Sequence, residues 1–273
     1  MAESLLDQEP GIRLGVFAGV FVLMAVLEAL APRRPLGAPR SRRWVSNLAI
    51  VVLDTLAIRL LFPLLAVGMA LLAQQRGWGL FNSLAVPAPV AILACVLLLD
   101  LAIYAQHRMF HLVPVFWRLH RMHHADTDFD VTTALRFHPL EIILSMVLKL
   151  ALVALLGAPA LAVLIFEILL NATAMFNHAN LRLPLPLDRI LRIFIVTPDM
   201  HRVHHSTRRE ETDSNYGFNL SLWDRLFKSY RAQPALGHDK MVIGLTDFRT
   251  PKDQRLDQLL LQPFRQPRAI PDK

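Results

Sequence analysis

Long apolar runs separated by short polar segments dominate the first two thirds of the chain. The first three runs cover about 11–31, 45–73 and 86–106, and a fourth stretch covers about 140–176. About 20 consecutive apolar residues suffice for a helix to cross the hydrocarbon core of a membrane. The pattern therefore predicts an all-α fold, an integral membrane helical bundle of about four to five spans.

Two of the apolar stretches are longer than a single span requires, and each contains a helix-breaking residue. The second run contains Pro63, so its helix is expected to tilt or break there. The stretch at 140–176 is divided by Gly157, Ala158 and Pro159. This division predicts a hairpin of two helices that enters and leaves on the same face of the membrane.

The polar loop between the first two runs is rich in arginine, with Arg33, Arg34, Arg40, Arg42 and Arg43. Short loops with such an excess of positive charge stay in the cytoplasm. Counting spans from this loop places the polar residues 107–139 and 181–273 on the same side. We therefore predict a cytosolic histidine-rich helical cap, and the short loops and the abundance of Ala, Leu and Arg indicate a bacterial inner membrane.

Composition and charge agree with this assignment. The chain is 54% hydrophobic, its mean hydropathy is +0.39 and its formal net charge is +7. Basic loops that face anionic lipid headgroups explain the charge, and without an aromatic–basic RNA signature we expect no nucleic acid partner. The single cysteine, Cys95, excludes a disulfide framework and, within the chain, a cysteine-ligated iron–sulfur cluster or zinc site.

The chemistry of the chain is concentrated in its histidines. His107 and His111 are four residues apart, and two further segments repeat the pattern HxxHH, at 120–124 and at 201–205. Residues three and four apart lie on one face of a helix, and imidazole suits iron, zinc, copper and nickel. The spacing therefore predicts a metal site.

Three classes of protein carry such a site in a membrane. A lipid hydroxylase or desaturase is the main hypothesis. A metal transporter is expected to carry its histidines in low-complexity runs or in the middle of its spans, whereas these lie at helical spacing just outside them. A membrane zinc hydrolase is the third class, although the chain has no HExxH motif.

A set of six motifs resembles the fatty acid hydroxylase/sterol desaturase superfamily of membrane-bound histidine-box di-iron oxygenases. The motifs are DLAIYAQHRMFH, FWRLHRMHH, TALRFHP, FNHAN, TPDMHRVHH and NYGFNLSLWDRLFKSY. They suggest a division into an N-terminal transmembrane region (1–94), a catalytic domain of this type (95–231) and a cytosolic tail (232–273). The tail is rich in proline and charge, so we expect it to be loosely ordered.

The resemblance implies an oxygen- and iron-dependent enzyme that hydroxylates or desaturates a membrane lipid such as a fatty acyl chain or a sterol. Two iron ions per chain are expected, and zinc is expected to substitute in purified protein. Electrons are expected from an external reductase, ferredoxin or cytochrome. The implied metal ligands are His107, His111, His120, His123, His124, His138, His178, His201, His204 and His205.

Residues near the boxes supply further candidates. Asp100 and Tyr104 share a helix face with His107, so Asp100 is expected to accept a hydrogen bond from a metal-bound histidine, and Asp199 near His201 is a similar candidate. His238 matches no box and is expected at the surface. Basic residues beside the boxes are expected either to attract an acidic electron carrier or to bind lipid phosphate: Arg118, Arg121, Arg202, Arg208 and Arg209.

Overall fold

The computed structural model describes residues 2–266, which form helices and short 3₁₀ turns joined by loops with isolated β-bridges. Five segments are long and apolar enough to cross a membrane, which confirms the expected all-helical membrane architecture. The helices are α1 (Ala2–Asp7), α2 (Glu9–Leu30), α3 (Arg40–Leu61), α4 (Ala66–Arg76), α5 (Leu80–Ser83), α6 (Ala88–Leu112), α7 (Pro114–His124), α8 (Pro139–Leu156), α9 (Ala160–Asn177), α10 (Leu185–Phe194), α11 (Pro198–His204), α12 (Arg209–Thr212), α13 (Leu222–Leu226), α14 (Gly237–Lys240) and α15 (Leu256–Leu261).

The long second apolar run breaks where its sequence predicts. Helix α3 ends at Leu61 and α4 begins at Ala66, with Pro63 between them. A proline removes a backbone donor and clashes with the preceding helical turn, so one continuous helix is disfavoured at this point. The segment Arg40–Ser83 therefore consists of a long helix followed by two shorter ones.

The predicted hairpin at 140–176 is formed by α8 and α9. Gly157 ends α8 in the left-handed conformation, with φ of 60°, which glycine adopts without steric cost. The turn also packs closely on the loop before α5, because a Cβ at Gly157 would lie 2.5 Å from the carbonyl oxygen of Trp78. A glycine is needed here both for the backbone angle and for the space.

The arginine-rich loop lies on the same side of the bundle as the histidine boxes. Pro32 forms an isolated bridge with Leu181, close to the end of α9. The guanidinium of Arg43 pairs in bidentate fashion with Asp126, two residues after the HxxHH box of α7, with N–O distances of 2.8 and 2.7 Å. The loop and the boxes therefore share one end of the bundle.

The described part of the C-terminal tail is packed rather than loosely ordered. Residues 254–265, here called the C-terminal strap, lie against α7 and α3, with Leu259 and Gln262 fully buried. Arg118 on α7 donates to the carbonyl of Pro263 at 2.7 Å. The buried guanidinium of Arg121 donates to the carbonyl of Gln262 in the strap. Buried guanidinium groups need acceptors, and composition does not reveal that the strap carbonyls supply them. The expectation for 267–273 lies outside the described residues.

Candidate metal centre

Nine of the eleven histidines converge at the end of the bundle that carries the arginine loop. They form two adjacent groups, and within each group the potential ligand atoms all lie within 4.8 Å of one another. The five-histidine cluster contains His107, His111, His120, His124 and His204, and the four-histidine cluster contains His123, His178, His201 and His205. The rings of His124 and His205 stack with centroids 4.5 Å apart, so the clusters touch.

Local sequence explains how the boxes come to face one another. Pro114 ends α6 and occupies the first turn of α7, so the chain turns sharply between the HxxxH box and the first HxxHH box. The second HxxHH box lies on α11, whose N-terminus is capped by Thr197. His178, the remaining histidine of the two clusters, is the C-cap residue of α9.

Main-chain carbonyls fix the orientation of three histidine rings. The Nδ1 atom of His107 donates to the carbonyl of Tyr216 at 2.8 Å. His178 donates in the same way to Ala174 at 2.8 Å, and His204 donates to Ser214 at 2.7 Å. A carbonyl only accepts, so Nδ1 carries the proton and Nε2 of each neutral ring presents a lone pair.

In the five-histidine cluster, Nε2 of His107 faces the Nε2 atoms of two other rings. Nε2 of His107 lies 3.1 Å from Nε2 of His120 and 3.0 Å from Nε2 of His204. These contacts join two acceptors, so they are repulsive unless a cation lies between them. Two nitrogen ligands at right angles, each about 2.1 Å from one ion, would be about 3.0 Å apart. The spacing fits a shared metal ion.

Unpartnered nitrogens in the rest of the site fit the same conclusion. Among residues 2–266, neither ring nitrogen of His205 has a hydrogen-bond partner, nor does Nε2 of His124. Buried polar atoms are normally paired. Metal coordination would satisfy these lone pairs, and together with the nitrogens above they make both clusters competent to bind metal.

Burial keeps the imidazoles in the form that binds metal. Desolvation lowers the pKa of His120 to about 3 and that of His178 to about 3. The same cause, aided by neighbouring histidines, lowers the pKa of His123, His204 and His205 well below the usual value. The rings are therefore neutral at physiological pH, as a metal ligand must be.

Sequence reasoning missed the carboxylate that contacts the site. Glu141, in the first turn of α8, accepts a hydrogen bond from Nδ1 of His120 at 2.7 Å and is buried. Such a carboxylate orients the ring and increases its basicity as a ligand. The available signal was an acidic residue in the first turn of an apolar helix that begins directly after His138.

Of the ten implied metal ligands, His138 is the one that the structure does not bring together with the others. Its Nδ1 accepts from the backbone N–H of Leu140 and so caps α8, and its Nε2 contacts the carbonyl of Leu260 in the strap. Both ring nitrogens are thus occupied by main-chain groups. His138 therefore lies outside both clusters and connects the start of α8 to the strap.

The further candidates near the boxes, Asp100, Tyr104 and Asp199, have partners other than the clustered histidines. Asp100 accepts from Trp223 at 2.8 Å and Tyr104 hydrogen-bonds Ser229 at 2.8 Å, so neither contacts a clustered histidine through a hydrogen bond. They lie on the same helix as His107, but their partners come from a segment more than 100 residues away. The expected hydrogen bond from a metal-bound histidine to Asp100 is not among the contacts of the described residues.

Asp199 is bound to cations rather than to a clustered histidine. It pairs with Arg202 and with Arg33 at 3.2 Å, and both charges lower its pKa against the opposing effect of burial. His238 lies beside it, 3.6 Å away, and is buried, which corrects the expected surface position.

The arginines proposed to attract an electron carrier divide into two sets. Arg202 and Arg121 are buried, and Arg118 is half-buried against the strap. Only Arg208 and Arg209 of this set are exposed. A docking role is therefore excluded for Arg121 and Arg202, because their guanidinium groups are not available to a partner.

A fatty acid hydroxylase family model matches residues 92–229, about half of the chain. The chain is 33% identical over 152 residues to an alkylglycerol monooxygenase of Homo sapiens, covering 54% of this chain and 31% of the relative. It is 30% identical over 149 residues to an ornithine lipid hydroxylase of Rhizobium tropici, covering 54% and 44%.

The chain thus spans less than half the length of these curated relatives. No solved structure matches it significantly. The family match includes every histidine of both clusters. The chain belongs to the fatty acid hydroxylase family.

Proposed function

We propose that the protein is a membrane-bound, O₂-dependent di-iron oxidoreductase that hydroxylates the hydrocarbon part of a membrane lipid. The reaction consumes the lipid C–H bond, one O₂, two electrons and two protons, and it yields a hydroxylated lipid and water. The observation that carries the proposal is the pair of adjacent, buried histidine clusters. Two clusters could hold two iron ions, which would share the electrons that O₂ reduction requires.

The names of the relatives favour hydroxylation over desaturation. One is a monooxygenase of alkylglycerol and the other a hydroxylase of ornithine lipid, so we propose a polar lipid with a long hydrocarbon chain as the substrate class. The transporter alternative receives less support, because a transported ion must leave, whereas these rings are buried and clamped by main-chain carbonyls. The zinc hydrolase alternative receives less support because the chain has no HExxH motif and the carboxylate of Glu141 is engaged by Nδ1 of His120.

Bound iron would supply the ability to reduce O₂ and to oxidise an unactivated C–H bond. The protein's own residues do the rest. Carbonyls of Tyr216, Ala174 and Ser214 hold the Nδ1 protons and leave Nε2 free for the metal. Glu141 holds the Nδ1 proton of His120. The nearly complete burial of the rings excludes water from the reacting atoms.

Electrons are proposed to arrive from a separate reductase, ferredoxin or cytochrome on the cytoplasmic face. The exposed Arg208 and Arg209, at the start of α12, are the candidate contacts for an acidic carrier. The cytoplasmic orientation rests on the arginine loop, which shares one end of the bundle with the clusters. We propose a bacterial inner membrane, with residues 95–231 as the catalytic domain between the N-terminal region 1–94 and the tail 232–273.

The proposal is tested by lipid mass spectrometry under isotopically labelled O₂. Membranes with and without the protein receive an electron donor, and hydroxylation adds one labelled oxygen atom to one lipid class. The His204→Ala variant serves as the inactive control, since His204 belongs to the five-histidine cluster. Loss of two hydrogens without gain of oxygen would instead assign desaturation, and an oxygen derived from water would contradict the oxygenase reaction.

A further inference from the structure

Helix α10 carries its apolar side chains on the outside of the protein. Its sequence LPLDRILRIF places Leu187, Ile190 and Phe194 three and four residues apart, so they share one face. Leu187 is 44% exposed, Ile190 59% and Phe194 63%. A helix of a water-soluble cap would turn this face inward.

Two polar side chains of α10 point inward and are held by ion-pair and hydrogen-bond contacts. Asp188 and Arg192 are buried and form an ion pair one turn apart. Asp188 also accepts from Thr197 at 2.6 Å, and Arg192 donates to the carbonyl of Ala232 at 2.9 Å. These bonds fix the orientation of the helix, so its apolar face cannot turn inward without breaking them.

Helix α13 extends the same apolar surface. The backbone N–H of Ser221 donates to the carbonyl of Phe194 at 3.1 Å, and Arg225 donates to the carbonyl of Arg192 at 2.8 Å. Leu222 and Leu226 on α13 are 49% and 60% exposed. The α10–α13 face consists of these exposed side chains: Leu187, Ile190, Ile193, Phe194, Leu222 and Leu226.

The α10–α13 face is anchored beside a membrane span, because α13 and the residue after it contact α6. Trp223 on α13 donates to Asp100 of α6 at 2.8 Å, and the ring of Phe227 stacks on Tyr104 of α6 with centroids 5.4 Å apart. Tyr104 lies just before Gln106, where the apolar run of α6 gives way to its histidine-bearing end. Helix α13 therefore lies beside the last apolar turns of a span.

Exposed cations border this face. Arg189 lies on α10, Arg225 on α13 and Lys228 two residues after α13, and all three are exposed. Long basic side chains beside an apolar surface are typical of helices that lie in the membrane interface, where their charged ends reach the lipid phosphates.

We propose that the α10–α13 face is inserted into the bilayer leaflet in which the α6 span ends. The catalytic cap is then a partly embedded structure rather than a purely cytosolic one. The occupant of the face is lipid: apolar side chains contact acyl chains, and the bordering cations contact phosphate. This inference is independent of the reaction that the histidine clusters perform.

Fluorescence quenching in lipid nanodiscs tests the proposal. A dye is attached to Ile190→Cys in the full chain carrying Cys95→Ser, and Glu210→Cys is the matched control on the exposed, charged helix α12. The nanodiscs contain phosphatidylcholine with phosphatidylglycerol, plus a fraction of phosphatidylcholine spin-labelled on the acyl chain. Gel filtration of each labelled variant shows that it is folded before the measurement.

We expect spin-labelled lipid to quench the dye at Ile190→Cys several-fold more than at Glu210→Cys. Aqueous iodide should show the reverse order. Equal iodide quenching at the two sites, without preferential lipid quenching, would overturn the proposal. Protection from iodide that depends on protein concentration, again without lipid quenching, would also overturn it and would assign the face to a second copy of the chain.

Discussion

At the scale of single residues, hydrogen bonds from the ring nitrogens that face away from the metal site fix the orientation of the histidine rings. Each Nδ1–carbonyl bond fixes one tautomer, so the opposite nitrogen is ready for a ligand bond before any ion arrives. The histidines themselves were predictable, because helical spacing is a local property of the sequence. Glu141 was not, because its contact joins residues on different helices.

Removal of one clustered ring should remove metal and activity together. His123→Ala and His204→Ala each remove a ring from a different cluster, so we expect both variants to insert in the membrane, to bind much less metal and to be inactive. Metal analysis of purified protein and lipid turnover are the measurements. His138→Ala is the control and should keep its metal, because its nitrogens bind the main chain. Full metal content in His204→Ala would remove that residue from the ligand set.

Substitution of Glu141 should weaken metal binding in a graded way. Glutamine keeps an oxygen that accepts from His120 but loses the negative charge, whereas alanine loses both. We expect a loss of metal affinity of about 10- to 100-fold for Glu141→Ala and a smaller loss for Glu141→Gln. Competition with a chelator measures the affinities. An unchanged affinity in Glu141→Ala would show that the carboxylate does not support the ligand.

The stability of the metal-free protein should fall as the pH is lowered. In the folded state burial lowers the pKa of His120 and His178 to about 3, whereas the unfolded value is 6.5. Above pH 6.5 these imidazoles are neutral in both the folded and the unfolded state. Below pH 6.5 they bind protons in the unfolded state but stay neutral in the folded state, which favours unfolding. We expect the Tm in detergent to fall steadily from about pH 6.5 toward acid. A constant Tm between about pH 7 and 5 would contradict this explanation.

At the scale of helices and loops, the sequence was informative wherever the signal was local. The apolar runs, the break at Pro63 and the turn at Gly157 were all predictable from neighbouring residues. The packing of the strap was not predictable, because Gln254 donates to the carbonyl of Ala125 and accepts from the guanidinium of Arg136, and both partners are far away along the chain. Composition described the tail correctly as polar but gave no information about these partners.

Breaking the strap contact should disturb the histidine box that it supports. Gln254 donates to the carbonyl of Ala125, the residue after His124, at 3.0 Å. We expect Gln254→Ala to lower metal content measurably while leaving membrane insertion intact. Arg255→Ala is the matched control, since its side chain is exposed and pairs only with Asp257 among the described residues. Equal metal content in both variants would show that the strap does not position the box.

At the scale of the whole molecule, the loops that follow His124 and His178 are held by residues that lie outside the family match. Glu28 on α2 accepts from the N–H groups of Val131 and Asn180, and Arg43 on α3 pairs with Asp126. These bonds connect the first two spans to the loops that follow His124 and His178. Span counting predicted that these regions share one side, but it contained no information about the bonds between them.

The side of the membrane on which the site lies is open to a labelling test. Arg209 is highly exposed on α12, whereas Ser206, closer to the box, is buried and unsuitable for labelling. We expect Arg209→Cys, in a chain with Cys95→Ser, to react with an impermeant thiol reagent only after the cells are opened. Labelling of intact spheroplasts from the outer side would contradict the cytoplasmic orientation.

The wide separation of the histidine boxes along the chain sets an order for biosynthesis. Arg43 is synthesised and inserted long before Asp126, and His205 follows only after the α8–α9 hairpin. Neither cluster is complete until α11 has left the ribosome, and the strap leaves later still. The last clustered histidine follows all five apolar segments in the chain, so we expect metal to bind only after these segments have been synthesised.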